Sequence, residues 1–130
     1  MLVENVMTPM ESLICVSPME SVRKALELMR THNVRSVIVE KSNVNGAYGL
    51  ITFKNILESI VSEDGDIDLL NVYDIAATPA ISVSAKLNIK YASKMMVKNS
   101  IKRLLIIDNN ELSGILTMSD IIENLMDSME

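Results

Sequence analysis

Two short stretches of this chain set a glycine, a threonine and a hydrogen-bonding side chain at intervals of three residues. One is Gly114-Ile-Leu-Thr117-Met-Ser-Asp120; the other is Gly49-Leu-Ile-Thr52-Phe-Lys-Asn55. Each follows a β-rich apolar run and precedes a helical pattern, so each predicts a strand-to-helix turn. A glycine before such a turn permits close backbone approach, and the free N–H groups at the helix start make a polar, anion-tolerant surface. Thr117 offers a hydroxyl there, and the Asp120 carboxylate can accept hydrogen bonds from two adjacent hydroxyls, as on a ribose. An ordinary structural role competes. Thr117 is a good N-cap, and Asp120 in the first turn favours the helix dipole with no ligand present. Its occurrence twice, in equivalent places, is what favours a binding role.

The two stretches belong to an internal duplication. Val16, Ser17, Val22, Ala25 and Met29 meet Val83, Ser84, Ile89, Ala92 and Met96 at an offset of about 67 residues, and residues 34–39 meet 101–106 in the same register. Residues 49–56 then meet 114–121 after a loop adjustment. Each copy predicts a short strand (13–16; 80–83), a helix, two strands (36–40 with 48–51; 104–108 with 112–116) and a closing helix that starts near Thr52 or Thr117. Ser17 and Ser84 stand where the first helix would be capped, with Pro18 and Glu20 completing a capping box in the first copy. Val22, Ala25, Leu26 and Met29 mark one helix face; Ile56, Leu57 and Ile60, or Ile121, Ile122 and Leu125, mark the inner side of the closing helices. The connections 41–47 and 109–110 are Asn/Gly-rich turn material. Residues 1–62 form repeat 1, 63–71 an acidic exposed linker and 72–130 repeat 2. Sixty residues bury too little apolar area alone, so the fold is α/β (α+β): tandem βαββα repeats packed sheet to sheet about a pseudo-twofold axis. The segments 3–7 and 72–76 are expected to lie across the opposite half.

Composition limits the function classes. Of 130 residues 48% are hydrophobic, yet no run approaches the roughly 18 apolar residues of a membrane span. Residues 1–5 lack the basic flank and apolar stretch of a signal peptide. The single Cys15 rules out an intrachain disulfide and fits a cytoplasmic setting. Net charge is −5 and aromatics are 3%, which argues against nucleic acid as a partner. Ten methionines suit core filling, with an adaptable contact surface as the other reading. One histidine (His32, at a helix end) and one cysteine cannot make a zinc site unaided. No nucleophile elbow and no phosphate-loop lysine motif is present, so the chain is expected not to be an enzyme and to have no metal site.

Taken together, the two Gly-x-x-Thr blocks, Val6-Met-Thr8 and Ile101-Lys-Arg-Leu-Leu-Ile-Ile-Asp108 resemble the CBS (cystathionine-β-synthase) domain family over nearly the whole chain. The resemblance implies a stand-alone CBS pair, or Bateman module, that needs no cofactor and binds AMP, ADP or ATP in clefts between the repeats. S-adenosylmethionine or NAD in the same cleft is an alternative ligand class. It also implies a homodimer that signals to an effector protein, an enzyme or a transporter, although dimerisation without any ligand is a competing role. Carried over residue by residue, one site comprises Thr117, Ser119 and Asp120 for the ribose, with Ser12, Leu13, Ile14 and Ser36 around the adenine. The other comprises Thr52 and Asn55 facing Pro79, Ala80, Ile81 and residues 101–103. Arg35, Lys102 and Arg103 stand as cations near the phosphates. Asn55 departs from the pattern because it lacks the carboxylate charge, so one good site and one weak or vacant one are expected.

Overall fold

Each repeat concentrates β-branched and leucine residues in the strands of a hairpin and spaces small or flexible ones along the preceding helix. Burial follows that division in the computed structural model, which describes residues 1–129. The elements are β1 (Thr8–Pro9), β2 (Cys15–Val16), α1 (Val22–His32), β3 (Ser36–Val39), β4 (Gly49–Thr52) and α2 (Phe53–Leu57). They continue with α3 (Val72–Ile75), β5 (Ser82–Val83), α4 (Ile89–Asn99), β6 (Arg103–Asp108), β7 (Glu111–Thr117) and α5 (Met118–Asp127). A π turn, Glu58–Ser62, extends α2. The βαββα order therefore occurs twice, as the duplication predicted.

The chain divides into two compact units. Residues 14–80 hold a three-stranded sheet in the order β2-β3-β4, with β2 parallel and β4 antiparallel to β3. Its core is Val16, Val22, Ala25, Met29, Val37, Val39, Ile51, Ile56 and Val72. Residues 1–13 and 81–129 hold a four-stranded sheet, β1-β7-β6-β5, around Val3, Ala85, Ala92, Met96, Leu104, Ile106 and Leu116. Asn109 and Asn110 both take positive φ (54° and 62°), the geometry of a two-residue hairpin turn, between β6 and β7.

These units are not the sequence repeats, because the segment preceding each repeat packs on the other one. Val3 and Val72 are both fully buried, each in the core of the repeat it does not lead. The Val3 N–H donates to the Leu87 carbonyl at 2.8 Å and the Glu4 N–H to the Ala85 carbonyl at 3.0 Å. In the other unit the Val72 N–H donates to the Glu20 carbonyl at 2.7 Å and the Tyr73 N–H to the Pro18 carbonyl at 3.0 Å.

Several expected details change. Ser17 and Ser84 do not cap α1 and α4. Their hydroxyls accept from the N–H groups of Met19 (3.2 Å) and Lys86 (3.1 Å), closing a turn each, and the caps are Ser21 and Asn88, four residues later. The delay has a tertiary cause. The Val22 and Arg23 N–H groups donate to the Leu70 and Ile67 carbonyls, and the Ile89 N–H donates to the Met1 carbonyl, so the helices begin where distant carbonyls meet their first donors. The acidic linker is likewise tied down, since Asp68 pairs with Arg23 on α1. Leu57, Ile122 and Leu125, expected on the inner side, are 59%, 50% and 57% exposed. Met126 is exposed too, so it fills no core here, whereas Met29 and Met96 do.

Ser84 has a second task. Its hydroxyl donates to Asp108 Oδ1 at 2.6 Å, and the Ala85 N–H donates to Asp108 Oδ2 at 3.0 Å. Those bonds, the hydroxyl first, hold the Asp108 carboxyl below its ordinary range against a smaller opposing effect of desolvation. A depressed native pKa contributes stability that is present above the unfolded value of about 3.9 and is lost as pH falls through the folded one. Thermal melts between about pH 5 and pH 3 should thus show a shallower decline for Asp108→Asn than for the wild type. Parallel melts would expose a misassignment. Val3→Ala and Val72→Ala should each cost about 2 kcal/mol in urea unfolding by cavity formation, and values near zero would contradict their place in the cores.

Candidate functional site

In both units the strand runs into the helix without a loop, because its last residue is also the helix cap. Thr117 ends β7 in an extended conformation (φ −114°, ψ 161°) and caps α5. Its hydroxyl accepts from the Asp120 N–H at 3.0 Å, while its own N–H donates to Asp120 Oδ2 at 2.9 Å. This reciprocal pair satisfies two helix-end groups at once. Asp120 therefore has a structural task, but only one oxygen is committed to it. The other, Oδ1, receives the Thr8 hydroxyl at 3.5 Å, a long bond that leaves it accepting capacity.

Thr8 is brought there by β1, which pairs antiparallel with β7 so that Thr8 faces Ile115 and Pro9 faces Gly114. A side chain at position 114 would run into the Thr8 carbonyl oxygen. The glycine thus admits the β1 backbone as well as shaping the turn. Sequence reasoning used Thr8 only as part of a family resemblance and did not assign it to a site. The Thr-Pro doublet, repeated at Thr8-Pro9 and Thr78-Pro79, was the available signal.

Lys102 and Arg103 flank this turn. Arg103 pairs with Thr117 in the sheet, and the Lys102 carbonyl accepts the Met118 N–H at 3.1 Å. The Lys102 and Ser119 side chains are exposed. Ser12 closes a 3-10 turn, Met10–Ser12, that packs beside β7, and Leu13 follows half-buried. Ile81 lies at the opposite edge of the same sheet, where its carbonyl accepts the Leu105 N–H at 3.0 Å.

The remaining candidates belong to the other unit. Thr52 caps α2, Ser36 pairs with Thr52 across β3 and β4, and the Arg35 carbonyl accepts the Phe53 N–H at 3.3 Å. Pro79 and Ala80 run along the outer side of β4, with the Ala80 N–H donating to the Tyr48 carbonyl at 3.0 Å. Ile14 lies on the far side of β3, its carbonyl taking the Ile38 N–H at 3.0 Å. Within each unit the turn and its cationic neighbours are thus assembled. Ile14, Arg35 and Ser36 belong to a different unit from Thr117, and Ile81, Lys102 and Arg103 to a different unit from Thr52.

Asn55 repeats the capping geometry with a different outcome. Its Oδ1 accepts both the Thr52 N–H (2.8 Å) and the Thr52 hydroxyl (2.9 Å). A backbone N–H needs an acceptor, so the amide oxygen must turn inward and the NH2 group is what remains to meet a ligand. Asn55 also borders an open cavity of about 230 Å³ lined with Glu58, Glu63 and Asp74. Burial, then Glu40, pushes the thiol of Cys15 on β2 up, so it is protonated and a poor nucleophile at neutral pH.

Comparison with known proteins agrees with the duplication. A family model described as "CBS domain" matches residues 3–62 and again 72–127. The chain belongs to the CBS-domain family. It is 33% identical over 112 residues to an uncharacterised protein of Methanopyrus kandleri, covering 85% of this chain but 57% of that one. It is 30% identical over 111 residues to the CBS domain-containing protein YhcV of Bacillus subtilis, covering 85% of this chain and 77% of that one. The chain therefore spans little more than half the length of the archaeal relative. Among solved structures, CBSX2 in complex with AMP aligns with a TM-score of 0.85 at 22% identity, covering 99% of each chain. The CBS domain of a bacterial CNNM/CorC family Mg2+ transporter aligns at 0.81 and 21% identity, over 99% of this chain and 77% of that one. At those identities the likeness is one of fold. The chain is a CBS pair, a regulatory type of module with a mixed α/β fold.

Capping at the turn is open to measurement in this CBS pair. Thr117→Val keeps the β-branched shape but loses the cap acceptor, and should lower unfolding free energy by about 1 kcal/mol. Urea denaturation checks it; an unchanged midpoint would show that the hydroxyl does not cap α5.

Proposed function

We propose that this CBS pair is a cytoplasmic sensor that binds an adenosine nucleotide (AMP, ADP or ATP) on the Thr117–Asp120 turn and reports occupancy to a partner protein. The reading is carried by one observation: the capping box uses only Oδ2 of Asp120, leaving Oδ1 beside the Thr8 hydroxyl as an acceptor for a ribose diol. Charge-assisted hydroxyl bonds to a carboxylate are short and strong. Lys102 and Arg103, next to the turn, supply cations for phosphates. Ser119, Ser12 and Leu13 belong to the same unit as this turn. The AMP complex of CBSX2, a protein of the same fold, supports the ligand class; S-adenosylmethionine or NAD would use the same diol.

The second turn, Thr52 and Asn55 with Pro79 and Ala80 of the same unit, is read as a weak or vacant site for that ligand. Ile122, Leu125 and Met126 give α5 an exposed apolar face, and Leu57 and Val61 do the same beyond α2. Faces of this kind suit a homodimer. The effector would be an enzyme or a transporter, a role for which the CBS domain of the CNNM/CorC transporter is a precedent in fold. Occupancy reaches a partner only if the ligand binds two conformations unequally.

The same apolar faces support a second reading, in which self-association is the function and no ligand is bound. Isothermal titration with AMP, ADP, ATP, S-adenosylmethionine and NAD separates the two. The sensor reading expects saturable binding of at least one of them, weakened about tenfold or more by Asp120→Asn, which preserves the cap but presents an NH2 group. No binding by any ligand at millimolar concentration would leave self-association as the function.

A further inference from the structure

The open cavity beside α2 draws its lining from three segments of one unit. Asn55, Glu58 and Ser59 stand at i, i+3 and i+4, on one helix face where α2 passes into its π turn. Glu63 follows that turn and Asp74 comes from α3. Backbone links hold the segments together. The Gly65 N–H donates to the Ser59 carbonyl at 2.9 Å, and a side chain at position 65 would collide with Ser59, so glycine lets the returning chain come this close. Just beyond α3, Ala77 exchanges N–H to carbonyl bonds of 2.9 and 3.0 Å with Leu50, on the strand that runs into α2.

The polar groups around this cavity have bonding capacity left over. Ser59 is only 8% exposed, and its hydroxyl bonds to none of the described residues. Among those residues no side-chain polar atom sealed from solvent lacks a partner, so the Ser59 hydroxyl must open on the cavity that it lines. The Asn55 oxygen is taken up by the Thr52 N–H and hydroxyl, and its NH2 group has no acceptor among the described residues. Asp74 Oδ2 accepts the Asn71 N–H at 2.8 Å, which leaves Oδ1. Glu58 has the exposed Lys54 at 3.8 Å, a weak pairing. Neither Glu63 nor Asp74 forms an ion pair among the described residues.

Three carboxylates with so little compensation call for a cation. A bare metal ion does not fit. No three acidic, histidine or cysteine side chains of the described residues are grouped to hold one, and an amide NH2 group is a donor, not a ligand. An ammonium group suits carboxylates that stand apart, because each of its N–H bonds can reach a separate oxygen. The Asn55 NH2 group needs an acceptor oxygen, which a hydroxyl provides while also exchanging a hydrogen bond with Ser59. At about 230 Å³ the cavity is smaller than the roughly 300–1,000 Å³ of drug-sized sites, so the ligand is small.

We propose that this cavity is a binding site for a small amino alcohol. Glu58, Glu63 and Asp74 take its ammonium group; Asn55 and Ser59 take its hydroxyl. The site is separate from the Thr117–Asp120 turn and does not depend on the sensor reading.

Amide-resolved NMR titration at fixed ionic strength tests it with three probes. Ethanolamine carries both groups. Protonated n-propylamine has the same number of heavy atoms but no hydroxyl, and MgCl2 supplies a divalent cation. Ethanolamine should shift the amides of residues 55–59 and 63–65 saturably and bind about fivefold tighter than n-propylamine. Glu63→Gln should weaken both amines about threefold. Ser59→Ala should narrow the gap between the two amines and leave n-propylamine unchanged, a pattern that a mere loss of packing would not give.

Equal affinities for the two amines would reduce the cavity to an acidic surface and overturn the proposal. Displacement of ethanolamine by MgCl2 at equal ionic strength would overturn it too, as would silence at residues 55–65. The spectrum without ligand reports whether Ser59→Ala is folded. Glu63 is exposed, so Glu63→Gln decides the matter even if that variant is not: unchanged amine affinity there would sink the site.

Discussion

A βαββα unit of this size exposes one side of its sheet-and-helix layer at both ends of the chain path, and sixty residues do not bury enough apolar surface to offset the entropy of ordering them. Here each unit fills the deficit with a valine from outside its own repeat. Val3 enters the core with Ala85, Ala92, Met96 and Leu116, and Val72 enters the core with Val22, Ala25 and Met29. The backbone donors around these valines are met at the same time, by the carbonyls of Leu87, Ala85, Glu20 and Pro18. Much else depends on this docking. The linker that delivers Val72 also supplies the Leu70 and Ile67 carbonyls that start α1, and the N-terminal segment that delivers Val3 continues into β1 and Thr8.

That continuity links fold to site. β1 is only two residues long, yet it pairs with β7 and places Thr8 beside the first turn of α5. Gly114 is required at the crossing because a side chain there would collide with the Thr8 carbonyl oxygen. The capping box then spends one carboxylate oxygen on helix architecture and leaves the other outside the cap, with only the long bond from the Thr8 hydroxyl. In the proposed sensor, a structural cap and a binding group are, at Asp120, the same side chain. At Asn55 the identical cap has the opposite consequence, because an amide has only one oxygen to give.

Much of this was legible in the residues. The duplication, the hairpin strands and the threonine caps follow from apolar periodicity and local capping chemistry, and the placement of residues 3–7 and 72–76 was expected because sixty-residue repeats bury too little alone. The first helices were less legible. Ser17-Pro-Met-Glu20 has a complete local capping signature, yet α1 starts at Val22, because Leu70 and Ile67 offer carbonyls to the N–H groups of Val22 and Arg23. The outer faces were misjudged for a related reason. Ile122 and Leu125 read as core by periodicity alone, but α5 buries no residue completely and turns them outward.

The sequence by itself determined the repeated βαββα order, the family, and the unequal residues at 120 and 55, since these depend on residue type and spacing along the chain. Only the tertiary structure decided which atoms of those residues are left to act. Asp120 and Asn55 differ by one group, but it is the bond from the Thr N–H that turns one oxygen inward in each and leaves an acceptor in one case and a donor in the other. The pairing of Thr8 and of Ala77 with their strands is likewise a matter of register between segments far apart in the chain, which no local pattern specifies.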